Sequence, residues 1–192
     1  MTAEHKQQEP FHWRTGIAYK TRDQIVVRGY DLNDLTGNLD LSEMAYLVWR
    51  GELPGKSHAR MLNAIMVCLA EHAFSPSSAA GRMVTSGGVP LHVGVAGGLL
   101  TIGDVHGTFD RPTALFQKGI ARAKAERKSI DNIADLIVRE AREAKERLPG
   151  FHHPQHIRDP RSKRLIEVGK QFRVAGEHLS LALAMEDATE RY

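Results

Sequence analysis

The chain has 192 residues, of which 42% are hydrophobic and 26% charged, with 26 Lys and Arg against 23 Asp and Glu for a formal charge of +3. That balance excludes a disordered chain, and the richest apolar stretch, Val89 to Ile102, is broken by His92 and several glycines, short of the ~20 residues of a membrane span. The single cysteine, Cys68, excludes an internal disulfide framework, and with a polar start at Met1 to Pro10 it leads to the expectation of a cytoplasmic protein without a targeting segment.

Taken in chain order, Ile17 to Tyr19 and Ile25 to Val27 flank a polar turn at Thr21 to Asp23 and predict a short hairpin. From there the periodicity is helical. Leu41 to Trp49 predicts a short helix stopped by Gly51 and Pro54. In the next helix Met61, Leu62, Ile65, Met66 and Leu69 share one face, and Cys68 reads as a packing residue among them. Ser75 and Pro76 place a capping hydroxyl before a proline suited to the first helical turn, opening a helix that runs to Ser86 and stops at Gly87 and Gly88.

Val89 to Gly103 carries almost no charge and has glycines at 94, 97, 98 and 103, which predicts a buried central helix that lets a neighbour approach closely. It ends at a tight turn holding His106 between Gly103 and Gly107. Arg111 to Lys128 and Asp131 to Arg147 predict two charged amphipathic helices, and the second is preceded by Ile130 and carries Ile133, Leu136 and Ile137 on one face. Leu148 to Arg158 is non-helical and holds three of the ten histidines; Asp159 and Pro160 then cap helices that run through Leu165 and Phe172 to Leu183. The expected fold is all-α with a minor hairpin.

Basic side chains between Arg122 and Arg147 alternate with Glu126, Asp131, Asp135, Glu140, Glu143 and Glu146, the pattern of solvated helix faces. With aromatic residues at 6%, no nucleic-acid partner is expected. A modest basic excess suits a polyanionic small ligand such as a phosphorylated cofactor or a tricarboxylate.

His72, His106 and His153 lie at helix ends or in glycine-bounded loops, where side chains converge on pockets. A neutral imidazole donates to a carbonyl, and Arg161 grips a carboxylate through two parallel hydrogen bonds. These four residues therefore suit a site that polarises carbonyl groups of an anionic substrate, although a single histidine at a helix end is as a rule a cap or a surface residue. His152, His153 and His156 have a metal-like look, but no fourth ligand stands at a familiar spacing, so no metal site is expected.

Several segments carry a resemblance. Arg28 to Leu35, Tyr46 to Pro54, Glu71 and His72 followed by Ser75 to Ala80, the turn Ser86 to Gly88, the glycine-rich helix leading to Gly103, His106 and Gly107, and finally Gly150, Phe151 and His153 with Asp159, Pro160 and Arg161 resemble the citrate synthase superfamily, in order and at matching intervals. The short amino-terminal arm and His156 are more similar to its short citryl-CoA lyase-like members. The resemblance implies a citrate synthase-like, two-lobed helical fold, with residues 1–108 and 177–192 in a large lobe and 109–176 in a small one.

It also implies roles. His106 would hydrogen-bond the thioester carbonyl and stabilise its enol(ate), while His153 would polarise the keto carbonyl in condensation or take the hydroxyl proton in cleavage. His72 and Arg161 would hold substrate carboxylates, and Leu148, Pro149, Gly150 and Phe151 would meet coenzyme A. The implied reaction makes or breaks a carbon–carbon bond between acetyl-CoA and oxaloacetate, with citrate or citryl-CoA on the other side. The CoA thioester is a substrate, no cofactor is permanently bound, and the assembly is a homodimer. The family's catalytic aspartate lies in a segment beyond the second histidine motif. A chain ending at Tyr192 would lack it together with the last part of the large lobe, which leaves a non-catalytic citrate- or CoA-binding module as the alternative.

Overall fold

The computed structural model describes residues 15–107, 109–151 and 159–192. Thr108 and the histidines at 152, 153 and 156 lie outside the described residues, as does the start of the chain. The described chain forms two compact units that meet inside one helix, between Asn63 and Ala64.

The first unit begins with three antiparallel strands, β1 (Ala18–Lys20), β2 (Ile25–Val27) and β3 (Tyr30–Asp31), in the order β1-β2-β3. Ala18 faces Val27 and Val26 faces Asp31 across the two ladders. The third strand was not anticipated. It exists because Arg28 and Gly29 both adopt positive φ, 48° and 90°, as a tight two-residue hairpin turn requires. Asp31 then caps the single turn α1 (Leu32–Leu35) by accepting from the Asn33 N–H at 2.8 Å.

Helix α2 (Leu41–Arg50) starts with Glu43 reaching back to the Asp40 N–H at 2.9 Å and stops where Gly51 turns left-handed at φ 83°. Its last-turn carbonyl at Val48 has no helical partner and is taken up by Arg28, whose Nε and Nη2 donate to it at 3.0 and 2.6 Å. Val27, Leu35 and the fully enclosed Leu47 form the core of this unit. Helix α3 (Lys56–Leu69) follows, and Cys68 on its last turn is half-buried.

In the second unit, α6 (Asp110–Glu126), α7 (Ile130–Glu143) and α9 (Glu177–Arg191) pack around Ile120, Ile133, Val138, Leu181 and Met185. Each such side chain contributes about 1.5–3 kcal/mol on burial. Helix α9, which the resemblance groups with residues 1–108, packs here against α6 and α7. Arg122 of α6 forks onto Glu140 of α7 at 2.7 and 2.8 Å. Lys124 pairs with Glu177 of α9 at 2.7 Å.

Helices α4 (Pro76–Ser86) and α5 (Leu91–Leu99) form a close antiparallel-type pair seamed by glycine. Here the expectation of a buried central helix needs correction. Gly94 and Gly98 are buried against α4, but Leu91, Leu99 and Leu100 are 78%, 62% and 86% exposed. The reason is the pattern itself: the small residues occupy the one face that touches α4, and the large apolar ones are left on the other. Helix α8 (Pro160–Gln171) is capped by Asp159 as its sequence predicts. No helix among the described residues is long and apolar enough to cross a membrane.

Candidate active site

The site is built at the start of α4. Pro76 has no N–H to satisfy, and the Ser78 N–H donates to the Ser75 hydroxyl at 3.4 Å. Ser78 returns the bond by accepting from the Ser75 N–H at 3.0 Å, so the cap is reciprocal. That leaves the Ser77 N–H as the first-turn donor pointing outward. It donates to Nε2 of His106 at 3.3 Å, and the Ser77 hydroxyl lies 3.0 Å from the same nitrogen.

This contact fixes chemistry as well as position. A backbone N–H only donates, so Nε2 must hold its lone pair and the ring proton of the neutral imidazole sits on Nδ1. His106 therefore presents an Nδ1–H donor. The ring is set by a closed turn in which Gly103 and His106 exchange both backbone hydrogen bonds at 2.9 Å, with Gly107 at φ 76°. The His72 ring stands 5.3 Å away, tilted by 36°. Its own turn is held by Glu71, whose carboxylate accepts from the Ala73 N–H, and by the Ser78 hydroxyl, which donates to the Ala73 carbonyl. The described chain thus brings His72 and His106 together, as the sequence led us to expect.

Arg161 sits in the first turn of α8. Its backbone N–H and Nε donate to Asp159 Oδ1 at 2.9 Å, and its Nη2 donates to Oδ2 at 2.6 Å. The Asp159 carboxylate raises the guanidinium pKa above its ordinary value, and the weaker fields of Cys68 and Glu71 act the same way. Cys68 belongs to the last turn of α3, and Glu71 adjoins His72 just past that helix. His153 lies outside the described residues.

The four residues expected to meet coenzyme A divide by role. Leu148 and Phe151 pack against the core of the second unit, and the Phe151 ring meets Phe116 edge-on at 6.1 Å. Gly150 has φ 89°, and a Cβ there would stand 3.2 Å from Pro112. This position takes glycine on both counts. Pro149 is half-buried beside them. The side chains at 148 and 151 thus anchor the segment to the core. Among the described residues no three His, Cys, Asp or Glu side chains are placed to hold a metal ion.

Sequence reasoning missed Ser77. The run from Ser75 to Ser78 announces a helix cap, but nothing in it says that the spare donor is aimed at a residue 29 positions away.

Comparison with known proteins bears on the family and the fold. The citrate synthase C-terminal domain matches residues 54–192. Citryl-CoA lyase from Hydrogenobacter thermophilus superposes with a TM-score of 0.83 at 35% identity, over 93% of this chain and 68% of that one. An ATP citrate lyase variant from Methanosaeta concilii in complex with (3S)-citryl-CoA, at 19% identity and TM-score 0.77, is matched over 95% of this chain and 29% of that one. The same shares are covered in ATP citrate lyase from Methanothrix soehngenii in complex with citrate and coenzyme A, at 20% identity and TM-score 0.79. These last two bear on the fold alone. With its helical architecture, its paired histidines and a matched domain spanning most of its length, the chain belongs to the citrate synthase family and is citryl-CoA lyase-like.

Proposed function

We propose that this chain makes or breaks the carbon–carbon bond between the methyl carbon of acetyl-CoA and the keto carbon of oxaloacetate, and that cleavage of citryl-CoA is the favoured direction. The observation that carries the reading is the Ser77 bond to His106 Nε2, which leaves Nδ1–H as a fixed donor beside His72. In cleavage, a base takes the proton of the citryl hydroxyl. The carbon–carbon bond then breaks, and its electron pair passes into the thioester as an enolate. His106 Nδ1–H stabilises the enolate oxygen, and protonation at carbon yields acetyl-CoA and oxaloacetate. A preset donor of this kind is commonly worth 10²–10³ in rate.

In this reading His153 handles the hydroxyl or keto oxygen, His72 and Arg161 hold carboxylates, and the backbone of 148–151 meets coenzyme A. The thioester is a substrate, and no permanently bound cofactor is required. The lobes are those of the family: 1–108 with 177–192, and 109–176. The location is the cytoplasm, which the single Cys68 suits.

A homodimer belongs to the same proposal. What supports it is the uncovered apolar side of α4 and α5, where Met83, Leu91 and Leu100 are 74%, 78% and 86% exposed, as in a core divided between two subunits. Light scattering tests the stoichiometry. For the activity, the full chain is incubated with citryl-CoA, and separately with acetyl-CoA and oxaloacetate, while free thiol and oxaloacetate are followed. Product in either arm, lost in His106→Ala, supports the proposal. Tight citrate or CoA binding with no turnover in either arm would replace it with the non-catalytic binding module.

A further inference from the structure

Gly98 is buried in α5 against the first turn of α4. A Cβ added there would stand 2.9 Å from the Ser77 carbonyl oxygen and 3.7 Å from its carbon. The obstacle is backbone, so no rotamer change relieves it. Ser77 is also the residue whose N–H and hydroxyl hold His106 Nε2, at 3.3 and 3.0 Å. Helix α5 in turn runs on through residues 100–102 into the Gly103–His106 turn. Ser77 and His106 are therefore joined twice: directly by hydrogen bonds, and through α5 by the contact at Gly98.

We propose that Gly98 is a positioning residue. Its bare backbone sets the separation of α4 and α5 at Ser77, and that separation keeps the ring proton of His106 on Nδ1. The inference rests on the reading of His106 as donor to the thioester oxygen, and it names the element that keeps this donor available. The margin is small. Carbon-to-oxygen contacts settle at about 3.3–3.6 Å, so an alanine at 98 opens the seam by about 0.4–0.7 Å. The Ser77 N–H bond is already long at 3.3 Å, and the same displacement takes it out of hydrogen-bonding range. Released from Ser77, the ring is free to place its proton on Nε2 and turn Nδ1 into an acceptor.

A neighbouring glycine supplies the control. A Cβ at Gly97 would meet Val84 Cγ2 at 2.7 Å, a side chain that rotates and that lies seven residues beyond Ser77, about 10 Å along α4. Gly97→Ala disturbs the same helix pair without touching the Ser77 carbonyl.

The test reads the ring directly. The full chain is labelled with ¹⁵N-histidine, the His106 signals are assigned by their loss in His106→Gln, and the tautomer is read from the two ring nitrogen shifts at neutral pH. The expected result is a protonated Nδ1 and bare Nε2 in the parent and in Gly97→Ala. Gly98→Ala should show a substantial Nε2–H population and at least a 10-fold loss of turnover. Parental ring signals in Gly98→Ala would overturn the inference, as would an equal change in Gly97→Ala or a parent protonated on Nε2. Should Gly98→Ala fail to fold by circular dichroism, Gly81→Ala replaces it: its Cβ would press on backbone, the Gly94 carbonyl at 3.1 Å, and stand 4.0 Å from the Gly98 Cα, so unlike Gly97→Ala it parts the two helices at Gly98 itself. Unchanged ring signals there overturn the proposal too. If the tautomer responds as expected while the parent turns over no citryl-CoA, the positioning stands and the proposed reaction fails.

Discussion

The contact between Gly119 and Leu181 offers a quantitative check on the packing of α6 against α9. A Cβ at Gly119 would lie 2.5 Å from Leu181 Cδ2 and 3.1 Å from Ile137 Cδ1, and Leu181 is fully enclosed. In Gly119→Ala the helix gains about 1 kcal/mol of intrinsic propensity. Overpacking against a side chain with nowhere to go costs about 1–3 kcal/mol, for a net loss of about 1. Leu181→Ala loses a buried side chain and leaves a cavity, at about 3 kcal/mol. In the double variant the new methyl enters the vacated space, so the clash vanishes and the propensity gain is kept. We expect a total loss of about 2 kcal/mol against about 4 for the summed single changes, a coupling within the range seen for residues in contact. Urea denaturation followed by helical circular dichroism at one fixed protein concentration measures all four corners of the cycle. Additivity to within about 0.5 kcal/mol would refute the close approach of α6 and α9.

Three further outcomes follow from the site and its surroundings. His106→Ala should lower kcat for citryl-CoA cleavage by about 10²–10³ with its fold unchanged, read as thiol release. Arg161→Lys replaces a planar fork with a point charge, and losing one charge-assisted bond of about 1.5–3 kcal/mol should raise KM for the carboxylate substrate about 10–100-fold, measured in initial rates. Acid should destabilise the second unit through Glu140 and Glu126. The Arg122 fork holds Glu140 below its usual pKa of 4.5, and Lys128 followed by Arg122 does so for Glu126. Lowered folded-state values mean that the stabilisation is present above the unfolded pKa and disappears as pH falls through the folded one. The melting temperature should therefore drop below about pH 4.5, and Arg122→Ala should flatten that limb of the profile.

Most helices of this chain could be read from their ends. Ser75 with Pro76, Asp159 with Pro160, and Gly51 after Leu47 are local signals whose physics needs no partner, and each fell where the sequence put it. The β3 strand escaped because a left-handed Arg28 is paired with Gly29 in a turn that side-chain patterning does not announce. The exposure of α5 escaped for a different reason. An apolar segment rich in glycine says that something packs on it, but not whether the partner belongs to the same chain.

At the site, His72 was legible from its place just past a helix end and His106 from its glycine-bounded turn, and the two rings stand together. The tautomer was not legible, because it depends on which first-turn amide of α4 is left over after capping, and that is settled only in three dimensions. Likewise Leu148 and Phe151, marked for ligand contact, turn out to hold their segment to the core.

The junction of Gly150 with Pro112 has a consequence for anyone who would transplant loops between relatives. Pro112 lies in the first turn of the helix that starts shortly after the His106 turn, and Gly150 rests on it so closely that a Cβ would stand 3.2 Å from the proline ring. Residues 148–151 thus take their bearing from the very helix that the residue 106 turn feeds. A graft that brings the second motif without its matching proline would arrive at the wrong angle, however faithful its own residues.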